Sequence, residues 1–137
     1  MQPDFKHFIR ICDNINRTIT RIPHKAAVLA VNFSKERFIK KNWLDDREYP
    51  WPKTKKRKGS TLIKSGRLKR SIRQVHVGAD YAIIGTDVPY ARAHSVKSHT
   101  RKIKRSFAQR QFIGQSKYLS DKIAEMIQTE LNRAIQL

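Results

Sequence analysis

The sequence contains a single cysteine, Cys12, among its 137 residues. One cysteine excludes an internal disulfide framework and a zinc site built on several cysteines, and it is typical of a protein that works in a reducing compartment. No apolar run approaches the ~20 residues of a membrane-spanning helix, so we expect no membrane role. The first residues show no basic stretch followed by an apolar one, so we also expect no secretory signal.

Acidic residues are scarce as well. The chain has 11 Asp and Glu residues against 30 Lys and Arg residues, which gives a formal net charge of +19. Residues 49–79 and 88–120 contain no Asp or Glu. This imbalance predicts attraction to polyanions or to acidic protein surfaces, and it carries no information about the fold. The length fits one domain, covering residues 1–137, with a core of its own.

The residue groupings typical of enzymes are missing. The chain has only five glycines and no glycine-rich phosphate loop, and no serine lies in a G-x-S-x-G motif. The histidines are not spaced as paired metal ligands. Asp45, Asp46 and Glu48 form the one carboxylate cluster that a nuclease could use to hold a metal, but we interpret it as a solvated patch that offsets the cations at 53–58. We expect no catalytic residue, no metal site, no cofactor and no enzyme activity.

Both ends of the chain predict helices. Apolar residues recur at steps of three and four along residues 4–22, and a thinner apolar face continues over 24–43. Asp4 is placed to cap the first of these helices. We expect Pro23 to separate the two, because proline suits the first turn of a helix and not its interior. A closing helix is predicted over 116–136, with Asp121 near its start and Arg133 near its end.

The middle of the chain predicts a loop followed by strands. Residues 44–60 are basic, contain Pro50 and Pro52, and show no period, so we expect a long basic loop whose first part is held to the body by Trp43 and Trp51. Residues 61–114 form a β-rich core: an apolar turn over 61–72, a hairpin of strands 73–77 and 81–85, and an extended segment near 106–114. The predicted class is α+β, in which N-terminal helices precede a small antiparallel sheet and the C-terminal helix packs on that sheet.

Two basic segments are the strongest candidate functional sites. Their cations could contact DNA phosphates, or they could meet acidic faces of partner proteins, and the sequence leaves both open. The aromatic residues that would stack on single-stranded bases are sparse among them. The candidate residues are Lys53, Lys55, Lys56, Arg57, Lys58, Lys97, Arg101, Lys102, Lys104 and Arg105.

A succession of short motifs follows the first tryptophan. In order along the chain, these are Trp51-Pro52, then Leu62-Ile63-Lys64-Ser65-Gly66-Arg67-Leu68-Lys69-Arg70-Ser71-Ile72, then Ala82-Ile83-Ile84-Gly85-Thr86, then Tyr90-Ala91-Arg92-Ala93-His94, and last Phe107-Ala108-Gln109-Arg110-Gln111-Phe112-Ile113-Gly114. This order resembles the virion morphogenesis (tail completion) proteins of tailed bacteriophages, in particular the Mu-like group. The resemblance covers about residues 43–136.

The resemblance assigns fold-holding roles to the positions that match its motifs: Trp51, Gly66, Leu68, Tyr90, His94, Arg110, Phe112 and Gly114. Gly66 would permit a positive φ at a turn, Tyr90 and His94 would pack under the sheet, and the guanidinium of Arg110 would tie its segment to a neighbour.

The family further implies a structural protein at the neck or tail end of the virion, assembled in the bacterial host cytoplasm. The implied partners are other copies of the chain in a ring, a hexamer by analogy with phage tails, together with neck, head-completion or tail-tube proteins. Non-specific contact with packaged DNA is a further expectation. The competing interpretation is a small basic nucleic-acid-binding protein.

Overall fold

The computed structural model describes residues 5–53, 66–95 and 109–136, and two helices dominate it. Helix α1 (Phe5–Lys40) is antiparallel to the closing helix, α4 (Lys117–Ile135). At one end of the pair the side-chain amide nitrogen of Asn14 lies 3.5 Å from the backbone carbonyl oxygen of Ala134. At the other end the rings of Phe33 and Tyr118 stack with their centroids 6.0 Å apart. Helix α1 has 36 residues and α4 has 19, so the first turns of α1 extend past the end of α4.

The prediction of two separate N-terminal helices was wrong, because α1 runs through Pro23 without a break. Proline removes one backbone donor from a helix, which costs stability in isolation. Here Pro23 is buried, and the turns on either side of it pack on α4, so tertiary contacts hold the helix continuous. The helix ends at Lys40 and not at residue 43, because Lys41 adopts a positive φ of 55° that redirects the chain. The predicted cap at Asp4 lies outside the described residues.

Part of the predicted loop is a small hairpin. Strand β1 (Asn42–Leu44) pairs antiparallel with β2 (Glu48–Pro50), with Trp43 opposite Tyr49. Three-residue strands are too short to show a period of two, so the sequence alone did not indicate them. The prediction that Trp43 and Trp51 hold this region to the body is confirmed, since both indoles are buried.

The predicted hairpin in the centre of the chain is confirmed. Strand β3 (Arg73–Val77) pairs antiparallel with β4 (Ala82–Gly85), and a bulge between Gln74 and His76 shifts the register. A short helix, α2 (Arg67–Ser71), precedes β3 in place of the apolar turn that we predicted, and α3 (Ala91–Ser95) follows β4. The two strand pairs are separate sheets within the described ranges, so the single small sheet of the prediction is replaced by two hairpins.

The hydrophobic core lies at the C-terminal end of α1. It joins that helix to α2, to the turn after β4 and to the segment before α4, through Phe38, Trp51, Leu68, Ile72, Val88, Ala91 and Phe112. The α+β class is therefore confirmed, although α4 packs mainly on α1 and not on a sheet. Helix α4 begins after Ser116, whose hydroxyl accepts the backbone N–H of Leu119. No helix in the described part of the chain has an apolar stretch long enough to span a bilayer.

Candidate functional site

The predicted basic residues lie almost entirely outside the described part of the chain. Lys53 is described and is exposed. The other nine fall within 54–65 and 96–108, for which we make no structural statement. The structure does describe the four points where these two segments leave and rejoin the body, at Lys53, Gly66, Ser95 and Gln109.

Arg110 joins the bases of the two basic segments. Its side-chain Nε–H donates to the carbonyl oxygen of Pro52 at 3.1 Å, and its backbone N–H donates to the carbonyl oxygen of His94 at 2.8 Å. The side-chain amide of Gln109 also donates to the carbonyl oxygen of Ser95 at 3.2 Å. The start of the first basic segment and both ends of the second therefore meet at one place.

Arg110 is a buried charge that its hydrogen bonds hold in place. The residue is 9% exposed, and burial lowers the pKa of its guanidinium from the ordinary value. A buried guanidinium is stable only when its donors are satisfied, and here a carbonyl oxygen supplies one partner. Arg110 therefore acts on the site by orienting the backbone of its neighbours.

Trp51 and Phe112 form the packed support beneath this edge. The indole N–H of Trp51 donates to the carbonyl oxygen of Gln111 at 2.9 Å, and its ring meets Phe38 edge to face at 5.4 Å. Phe112 has no exposed surface and lies 5.1 Å from Phe38 between ring centroids. Leu68 from α2 completes the contact. These family-motif residues lie together in the core.

The remaining motif residues shape the backbone or lie at the surface. Gly66 has φ of 67° and Gly114 has φ of 140°, conformations that favour glycine. His94 is half-buried, and its ring meets Tyr90 edge to face at 6.1 Å. Tyr90 is exposed, so it does not pack under the sheet as we predicted, because the first turn of α3 directs Ala91 inward instead.

The hairpin of β1 and β2 borders an open groove of about 460 Å³. Aromatic rings and side-chain amides line it, notably Trp43, Tyr49, Trp51, Gln109 and Gln111. The groove lies beside the base of the basic segments, since Gln109 and Trp51 border both. No sequence pattern indicated this groove, because its walls come from two stretches of chain that lie far apart in the sequence.

The acidic cluster that a nuclease could use is occupied by structural contacts. Asp45 accepts the backbone N–H of Lys117 at 2.6 Å, and Asp46 accepts the hydroxyl of Tyr49 at 3.0 Å. Glu48 accepts the side-chain amide of Asn42 at 2.9 Å. Within 5–53, 66–95 and 109–136, no group of three or more His, Cys, Asp or Glu residues is placed to hold a metal ion.

Arg37 is a buried charge that sequence reasoning missed. It is 3% exposed, donates to the carbonyl oxygen of Phe33 at 3.2 Å and to the side-chain oxygen of Asn42 at 2.6 Å, and lies over the Phe33 ring. Burial lowers the pKa of its guanidinium, and the neighbouring Glu36 carboxylate partly offsets the effect. The residue fastens the end of α1 to strand β1. Lysines and arginines surround it in the sequence, so nothing distinguished it there.

Comparison with known proteins gives one match. The model of the phage virion morphogenesis family matches residues 41–132, about two thirds of the chain. The matched range includes both hairpins, α2, α3, Arg110 and most of α4, whereas all of α1 precedes it. Searches of the curated proteins and of the solved structures found no significant match.

Proposed function

The chain belongs to the phage virion morphogenesis family, and from that membership we propose that it is a non-enzymatic structural protein of the virion neck or tail end. In this role it completes the tail or joins it to the head. It works by assembling into a ring and by docking onto adjoining virion proteins. Assignment to the Mu-like group remains a prediction from the sequence.

The family match carries this proposal. The matched residues include six of the seven that form the buried core, all except Phe38, so the fold-determining part of the chain is the part shared with the family. The resemblance in the sequence rested on the same succession of motifs. The shared core supports the family assignment, and the assembly role is proposed from the family and not from the fold itself.

The convergence of the basic segments supports docking. The start of the segment at 54–65 and both ends of the segment at 96–108 meet at Arg110, and the sequence of these two segments holds ten cations and no carboxylate. A concentrated charge of one sign accelerates association with an acidic protein face and fixes its orientation. We favour a protein partner over the lumen of a DNA channel, because a dense positive lining would slow the passage of DNA.

A stop codon early in the gene, in a phage or prophage that encodes this chain, tests the proposal. We expect filled heads and separate or aberrant tails in electron micrographs, with infectivity restored when the wild-type chain is supplied in trans. Normal tailed particles without the chain would contradict the proposal. Charge reversal of Lys55, Lys56 and Lys58 in the supplied chain tests the docking step. If tails still join normally with this variant, the basic segment does not act by docking.

Nucleic-acid binding is the second candidate, and the net charge of +19 is the observation that favours it. Its signature is a monomer that binds duplex DNA with an affinity that falls steeply as salt rises. Light scattering after size exclusion, combined with DNA titrations at two salt concentrations, separates the two candidates. A strict monomer with tight DNA binding would favour the second.

A further inference from the structure

The free end of α1 carries an apolar surface that nothing in the described residues covers. We call it the arm patch: Phe5, Phe8, Ile9 and Ile19. Phe5 is 76% exposed and Phe8 is 59% exposed, and their rings stack 6.5 Å apart. Helical spacing puts all four on one side, while the exposed cations Lys6, Arg10, Arg17 and Arg21 lie on the opposite side.

The outer face of the β3–β4 hairpin carries a second apolar surface. We call it the hairpin patch: Val75, Tyr81 and Ile83, each about half exposed. Tyr81, directly before β4, and Ile83 in β4 lie on one face of the hairpin, and Val75 lies on the same face beside Gly85. Both strands of the hairpin contact α1, and Gln74 of β3 lies near Val28 and Val31 of that helix. Both patches are exposed in the single chain, so neither covers the other.

The charges around the two patches are complementary. The N-terminal part of α1 that carries the arm patch, which we call the arm, is basic, with four exposed cations on its turns. Residues 74–91 form the least basic stretch in the middle of the chain, with no Lys or Arg and with exposed Asp80 and Asp87. Copies of a chain with a net charge of +19 repel one another over most of their surface, so the hairpin is the surface that a second copy's arm can approach most favourably.

The exposed area is sufficient for a specific contact. From the exposed fractions, the two patches together present roughly 700 Å² of apolar surface. Because about 60% of a typical interface is apolar, burying both patches implies a total near 1,200 Å², at the lower edge of stable interfaces. Isolated apolar patches of this size on a soluble domain commonly mark interaction sites.

We propose that the arm patch of one copy binds the hairpin patch of the next copy, and that this is the contact that builds the ring. A head-to-tail contact requires two different surfaces on each subunit, and it closes into a ring when the rotation permits. This inference rests on the proposed function. The family match assigns no role to the arm, because residues 5–40 precede the matched range.

Two double variants of the full chain each disrupt one of the two patches. Phe5→Glu/Phe8→Glu removes the arm patch, and the added acids suit the N-terminal end of a helix, so α1 is expected to remain folded. Val75→Glu/Ile83→Glu removes the hairpin patch. Thr20→Glu/His24→Glu is the matched control, because it adds the same two charges at exposed positions of α1 outside the patch. Circular dichroism confirms that each variant is folded.

Mixing the two variants is the decisive measurement. Native mass spectrometry and light scattering should show a ring for the wild type and the control, and a monomer for each patch variant alone. An equimolar mixture should give a dimer and nothing larger, because the arm variant keeps its hairpin patch and the hairpin variant keeps its arm. The dissociation constant of the mixed dimer, which joins the arm patch of one variant to the hairpin patch of the other, should be at least 100-fold lower than that for self-association of either variant.

Three results would overturn the inference. These are a wild-type chain that stays monomeric at all concentrations, patch variants that form the same ring as the wild type, and a mixture that stays monomeric although both variants are folded. The third would show that the arm patch and the hairpin patch do not bind each other. The stop-codon experiment tests the proposed function independently. Defective tails, together with patch variants that still form rings, would contradict this inference and leave the proposed function standing. Normal particles would contradict the proposed function itself.

Discussion

The side chain of Arg110 donates a hydrogen bond of 3.1 Å from Nε–H to the carbonyl oxygen of Pro52, 58 residues earlier in the chain. Through this contact a buried charge fixes the start of one basic segment beside the end of the other. An arginine suits this position because the donor to Pro52 is its Nε–H, a group partway along the side chain that lysine lacks.

Replacing Arg110 by methionine should destabilise the protein by about 2 kcal/mol, since it removes the charged donor from the partly buried hydrogen bond to the Pro52 carbonyl while keeping the apolar stem. Urea unfolding followed by tryptophan fluorescence measures the change. Arg92→Met is the control, because Arg92 is exposed and its replacement should stay within about 0.5 kcal/mol. Equal stabilities of the two variants would contradict the role given to Arg110.

Trp51 should show a graded response to truncation. Trp51→Phe keeps an aromatic ring against Phe38 but loses the hydrogen bond to Gln111, with an expected cost of about 1–2 kcal/mol. Trp51→Ala also opens a cavity in the core and should cost about 3–5 kcal/mol. Both free energies of unfolding come from chemical denaturation. Similar costs for the two variants would show that the indole contributes by its N–H alone.

Gly66 should tolerate asparagine better than alanine. Its φ of 67° is left-handed, and a Cβ there would lie 2.7 Å from Nη1 of Arg70, the end of a side chain that can move. The cost of Gly66→Ala is therefore backbone strain, about 1–2 kcal/mol, and Gly66→Asn should cost less because asparagine enters this region more readily. Thermal melts of both variants test the order, and the reverse order would contradict the strain argument.

The ion pair between Lys25 and Glu130 should make stability depend on pH. The hydrogen bond from Lys25 at 2.8 Å holds the pKa of the Glu130 carboxyl below its ordinary value. A carboxyl with a lowered pKa in the folded state stabilises the fold above its unfolded pKa, about 4.3, and loses that contribution as pH falls through the folded pKa. The wild type should therefore lose more stability between pH 7 and pH 3 than Glu130→Gln does.

The partner residue provides the second half of that test. Lys25→Met removes the largest cause of the lowered pKa of Glu130, so its loss of stability between pH 7 and pH 3 should be smaller than that of the wild type, although Arg133 and Arg21 still face the carboxylate. Denaturant unfolding at the two pH values gives all three differences. A Lys25→Met variant with the full pH dependence of the wild type would show that Lys25 does not act on Glu130.

The sequence predicted the elements whose pattern is local. Strands β3 and β4 alternate clearly, and α4 has an apolar stripe with a serine cap at Ser116, so their positions were predicted to within a residue or two. The α+β class followed from these elements. The tryptophans at 43 and 51 were expected to be buried because large apolar rings gain little in solvent.

The remaining features depend on contacts between distant residues. The continuity of α1 through Pro23 depends on packing against α4, which no local rule shows. The buried Arg37 is one of many cations in its stretch, and only its contacts with Phe33 and Asn42 distinguish it. The groove beside Trp43 and the meeting of the basic segments at Arg110 require the folded chain, because each brings together stretches more than 40 residues apart.

Quantitative mass spectrometry of density-purified virions tests the central claim most directly. If this chain is a structural protein of the neck or tail end, purified particles should contain it in a small, fixed number of copies relative to the major capsid protein, and high salt should not wash it off. Its absence from purified infectious virions, in a lysate where the free protein is readily detected, would contradict the account.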